Sequence, residues 1–136
     1  MIDYFEIYKL VLDVVHDERA SDGQEVIKYL SEKNEIQEMR QKFGNKLVLE
    51  SILEVLDNQI KERMIDGKSI PTKDGIYFLI NHLTTNGQLR LQQLHNDASK
   101  NEVFEILESE GFPVTPQSIS KVLTKLAFKL YKNSTR

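Results

Sequence analysis

The stretch from Asn101 to Tyr131 constrains this chain most: a glycine, a proline and two capping signals fall where two helices and a tight turn are required. The first helix spans Asn101 to Glu110, with Ser99 as N-cap and Glu102 completing a capping box. Gly111 ends it. Phe112, Pro113 and Val114 form the link. Thr115 then caps a second helix that opens with Pro116, which has no amide proton to leave unsatisfied.

At about 100° per residue, Ile119, Leu123, Leu126 and Leu130 share one arc of that second helix, the packing face. Ser118, Lys121, Lys125, Lys129 and Lys132 fall on the opposite arc. From Gln117 to Arg136 there are five basic residues and no acidic one, in a chain whose formal charge is −3. Two helices, a glycine turn and a basic second helix with a hydroxyl near its start describe a helix-turn-helix.

The residues from Phe104 to Phe112, then Val114-Thr115, Ser118 to Lys121 and Leu123 to Leu126, resemble the arginine-repressor-type helix-turn-helix and its "LxxxGxxVTxxTVSRDIxxL" run. The likeness implies a second helix that enters the major groove of DNA. Pro116 and Val122 depart from the pattern, the latter standing where that family has an acid, and no wing follows the helix.

The absence of cysteine excludes disulfides, thiol catalysis and cysteine-ligated zinc. An acidic balance excludes coating nucleic acid by bulk charge, because that affinity comes from Lys and Arg neutralising phosphates. Any contact with DNA must use a local patch. No apolar run has the length of a membrane span and no secretory signal opens the chain, so the expectation is a cytoplasmic protein with no membrane association.

Upstream, a first helix is expected over Asp3 to His16, with Tyr4, Ile7, Tyr8, Val11, Leu12, Val14 and Val15 on a broad apolar arc. Asp13, Asp17 and Glu18 lie near its C-terminus, where they oppose the helix dipole. Ser21 or Asp22 caps a second helix with Val26, Ile27 and Leu30 inward. The pattern resumes at Ile36, Met39 and Phe43, either continuously or after a break near Asn34, and Gly44 ends it. A third helix, Lys46 to Lys61, buries Leu49, Ile52, Leu53, Leu56 and Ile60 and carries Glu50, Glu54 and Asp57 outside. Those acids would repel phosphate.

Asp66-Gly67 between apolar residues predicts a hairpin of two short strands within Lys61 to Ile70. Thr72 as N-cap and Asp74 in the first turn predict a fourth helix to Leu83, with Ile76, Phe78, Leu79 and Leu83 inward. The order from Tyr4 to Leu83, with Thr72, Gly75, Phe78 and Leu79 matching an "LTxxGxxFL" run, resembles small winged-helix proteins of Gram-positive bacteria and their phages. Asn86-Gly87 marks a turn before a helix from Gln88 to Asn96. The expected fold is mostly α: a winged-helix-like domain with one short β-hairpin over residues 1–85, and a helix-turn-helix extension packed on it over 86–136.

His16, His82 and His95 are scattered, and no phosphate loop or paired catalytic carboxylates occur. No enzyme, metal or cofactor is expected. Tyr77 and Tyr131 read as core or interface residues, and Phe128 as a contact with a neighbouring helix or second subunit.

Two functions are carried forward. One is a homodimeric regulator of transcription that binds double-stranded DNA through Ser118, Lys121, Lys125, Lys129 and Lys132, with Lys68 and Lys73 as wing contacts. The other is a winged-helix module that binds a protein partner through the acidic third helix or Phe128.

Overall fold

The computed structural model describes the backbone of residues 1–96 and 100–134 and the side chains of residues 1–96 and 100–129. Seven helices and one two-stranded antiparallel hairpin follow in the order α1 (Tyr4–Asp17), α2 (Gly23–Ser31), α3 (Asn34–Phe43), α4 (Asn45–Lys61), β1 (Ile65–Thr72), β2 (Gly75–Leu83), α5 (Thr85–Asn96), α6 (Lys100–Glu110) and α7 (Pro116–Ser134). The mostly helical fold with one hairpin is therefore as the residues predict.

The centre of the molecule is α1. Asp3 caps it by accepting from the Glu6 amide at 3.0 Å, and Ile7, Tyr8, Val11 and Leu12 are all fully buried. Its broad apolar arc is covered by α2, α4, α5, α7 and β2. One hydrophobic cluster runs from Ile2 to Leu123, so residues of both sequence segments share a core. Asp13, near the α1 C-terminus, lies 2.7 Å from His95 Nε2 on α5, and Asp17 lies 2.8 Å from His16 Nδ1. Asp13 and Asp17 thus each have an imidazole partner at this end of the helix.

α2 and α3 are separate helices. The Ser31 hydroxyl donates to the Ile27 carbonyl at 2.6 Å and accepts from Arg40 at 2.7 Å. Ser31 thus serves both helices at the break, a local bond that competes with helix continuation.

The hairpin departs from expectation in two ways. Its turn is Lys73-Asp74, closed by Thr72 paired with Gly75, and not Asp66-Gly67. Thr72 caps that turn instead of a helix: its hydroxyl donates to the Gly75 carbonyl at 2.6 Å and accepts from the Asp74 amide at 3.3 Å. Gly75 has φ +123°, open to glycine and strained for other residues. Gly67 instead sits inside β1 at a register shift, where a Cβ would lie 2.3 Å from the Leu79 carbonyl oxygen. Glycine is needed there for close backbone approach.

The second departure is that Gly75–Leu83 is a strand where a helix was expected. Phe78, Ile80 and Leu83 are buried, while Tyr77 and Leu79 are exposed. Ile76, Phe78, Leu79 and Leu83 fit a helical period, but Ile76, Phe78 and Ile80 alternate as a strand does, and cross-strand pairing decides between them. The outer edge of β2 is also covered, by a bridge from Asp22 to Leu79 and by the Ile80 amide donating to the Ser21 carbonyl at 2.9 Å.

Asn86-Gly87 falls in the first turn of α5 and not in a turn before it. The Thr84 hydroxyl accepts from the Gly87 amide at 3.0 Å. No helix among the described residues is long and apolar enough to cross a membrane.

Candidate interaction surfaces

The C-terminal pair forms as the sequence predicts. α6 ends at Glu110, Gly111 takes φ +71°, and the Thr115 hydroxyl accepts from the Ser118 amide at 3.2 Å to cap α7. Ser99 lies outside the described residues.

Ile119, Val122 and Leu123 are fully buried and Leu126 is half-buried. Ser120 is buried too, at 2% exposure. The packed arc is thus wider than the apolar residues alone indicate. Ser120 and Val122 both lie within the arginine-repressor-like run, and both face the core.

Opposite that arc, Lys121, Lys125, Phe128 and Lys129 are exposed. Lys121 Nζ stands 4.7 Å from the centre of the Phe112 ring. Lys125 Nζ lies 2.8 and 3.0 Å from the two carboxylate oxygens of Glu110 at the end of α6. The Ser118 hydroxyl is half-buried and accepts from Thr115 at 3.1 Å. Lys132 lies on α7, its side chain outside the described residues.

Lys68 and Lys73 are exposed on the hairpin. Ser69 points to α4, donating to Asp57 at 2.8 Å, so its neighbour Lys68 points to the other face of the sheet. Lys73 occupies the turn. That end of the hairpin packs toward Gly23 and Leu49, whereas α7 meets α4 at the opposite end, where Ser120 donates to Glu62.

Arg90 is the residue that sequence reading missed. Its guanidinium is buried and donates to the Tyr8 hydroxyl at 2.8 Å, to Ser120 at 2.9 Å and to the Thr124 hydroxyl at 2.7 Å. One cation thereby joins α1, α5 and α7. Burial raises the Tyr8 hydroxyl pKa above its ordinary range, opposed by the Arg90 charge. Nearby, Gln93 donates to the Leu123 carbonyl at 2.6 Å. The overlooked signal is helical phase, since Arg90 shares the buried arc of α5 with Gly87, Leu91 and Leu94.

A second surface lies at the turn end of the hairpin. A shallow groove of about 270 Å³ runs between α2, α4 and β2, lined by Ile27, Leu49, Leu53 and Ile76 among others. Leu49 is 39% exposed and Ile76 52%. Around the corner, Ile70 pairs with Tyr77 on the outward face of the sheet, and both are exposed. Beside the groove, α4 presents Glu50 and Glu54, the latter accepting from the Tyr4 hydroxyl at 2.6 Å. The third acid, Asp57, is held by Lys61 at 2.6 Å.

A third feature is a cleft of about 530 Å³ between α1 and α5, bordered by Asp13, His16, Asp17 and His95. Among the described residues, no group of three or more His, Asp or Glu side chains is arranged to hold a metal ion.

No family model, curated protein or solved structure matches this chain.

Proposed function

We propose that this chain is a protein-interaction module on a winged-helix-like scaffold, using the groove between α2, α4 and the hairpin. The element order supports the scaffold reading: α1, a bridge at Asp22, α2, α4, then a hairpin whose second strand takes that bridge, with α3 as an added helix. The observation that carries the function is the exposure of Leu49, Ile76 and Tyr77 in one groove, bordered by a helix whose solvent side carries Glu50 and Glu54. Clustered exposed apolar residues mark contact sites, and carboxylates beside them disfavour a phosphate backbone. The fitting ligand is an amphipathic segment with apolar and basic residues.

The test is a titration of the isotope-labelled chain with a synthetic Lys/Leu/Phe amphipathic helical peptide, read by NMR. Shifts confined to Leu49, Leu53, Ile76 and Tyr77 are expected. No shift there, with duplex DNA instead moving Lys121, Lys125 and Lys129, overturns the reading.

The second reading, a DNA-binding regulator, is favoured by one observation: Lys121, Lys125 and Lys129 lie one turn apart along the exposed side of α7. Against it stand the inward Ser120 and the Glu110 carboxylate at Lys125.

A further inference from the structure

The structure carries two surfaces of opposite charge. On α7, Lys121, Lys125 and Lys129 make one ridge at i, i+4 and i+8, with Phe128, 63% exposed, beside it. On α4, Glu50 and Glu54 make a ridge with the same spacing, and Leu49 and Leu53 lie beside it as a parallel apolar row. Lys125 is held by Glu110 within the chain, while Lys121 lies over the Phe112 ring and, among the described residues, neither it nor Lys129 has an ion pair.

Within one chain, α7 meets α4 at the end far from Glu50. Ser120 of α7 is fixed against Glu62, twelve residues beyond Glu50, which at 1.5 Å per residue is about 18 Å along α4. The tie between Arg90, Ser120 and Thr124 holds α7 at that end. Ser120 and Leu123 face the core, so the basic face opposite them is exposed.

We infer that a second copy of this chain is the occupant: the Lys121/Lys129 ridge of α7 lies along Glu50 and Glu54 of another copy, and Phe128 enters the groove between Leu49, Leu53 and Ile76. A two-fold arrangement makes this contact twice, α7 of each copy on α4 of the other. Doubling matters for area, since a stable interface buries on the order of 1,200–2,000 Å² in total and one groove of about 270 Å³ supplies only part of it. The inference rests on the interaction reading of the groove.

The experiment is sedimentation equilibrium on the full chain and two charge-reversed variants. One variant carries Lys121→Glu with Lys129→Glu, the other Glu50→Lys with Glu54→Lys; circular dichroism melting verifies that each is folded. Wild type is expected to be a dimer, and each variant alone to dissociate at least tenfold more readily. An equal mixture of the two is expected to recover a dimer, because each α7 then meets an α4 of opposite charge. Phe128→Ala is expected to weaken association, with circular dichroism verifying that the variant is folded. A monomeric wild type at high micromolar concentration overturns the inference, as do variants that self-associate like wild type or a mixture that does not recover. The peptide titration reports separately: a groove that binds peptide in a monomeric chain leaves the interaction reading standing and removes the dimer.

Discussion

The Arg90 guanidinium on α5 donates to the Ser120 hydroxyl on α7 at 2.9 Å, and both residues are buried. Ser120 belongs to the run that resembles a DNA-reading helix, so this contact turns one of its polar residues toward the core and fastens the C-terminal pair to α1.

Replacing Arg90 by Met should therefore cost about 2–4 kcal/mol, because Tyr8, Ser120 and Thr124 lose a charged partner together. Urea denaturation followed by circular dichroism measures it. Leu89→Ala on the exposed side of the same helix should stay within about ±0.5 kcal/mol.

On α7 the two faces should separate cleanly. Leu123→Ala removes a fully buried side chain and should cost about 2–5 kcal/mol. Lys121→Ala with Lys125→Ala should cost less than about 1 kcal/mol, since an exposed ion pair such as Lys125 with Glu110 contributes little. In a salt titration of duplex binding, loss of about two units of slope in this double variant would favour the DNA reading.

Gly87→Ala reverses an ordinary rule. Alanine normally stabilises a helix by about 1 kcal/mol relative to glycine. Here a Cβ would lie 1.9 Å from the Met64 carbonyl oxygen, and the change should instead destabilise by about 1–3 kcal/mol. An increased melting temperature would refute the packing of α5 on the hairpin base.

Alkaline stability should follow Tyr8. Its folded pKa is raised above the ordinary 10.0 by burial, so the unfolded chain releases the proton first. The stabilisation is complete below about pH 10 and is lost as pH rises from there through the folded value. Tyr8→Phe should flatten that fall in melts recorded across alkaline pH, at the cost of one Arg90 partner.

Much of the helical framework is legible from local residues: Thr115 with Pro116 starts α7, Gly111 stops α6, and the three-and-four spacing of Ile52, Leu53, Leu56 and Ile60 marks α4. The hairpin is not, because the stretch from Lys61 to Leu83 offers two Asp-Gly pairs with the same local preference. Tertiary contact puts the turn at Lys73-Asp74, since Gly67 is required where β1 passes the Leu79 carbonyl. The Lys121, Lys125 and Lys129 face is readable from phase alone. Arg90 and the groove are not: the Arg90 partners are 82, 30 and 34 residues away, and the groove exists only once α2, α4 and β2 have packed together.

The position of α1 also bears on how the chain is made. Tyr8 and Arg90 are separated by 82 residues, which a ribosome adding 5–20 residues per second spans in roughly 4–16 s. During that interval the apolar arc of α1 is synthesised without its α5 and α7 covers, and the nascent chain offers a hydrophobic surface that a chaperone can hold.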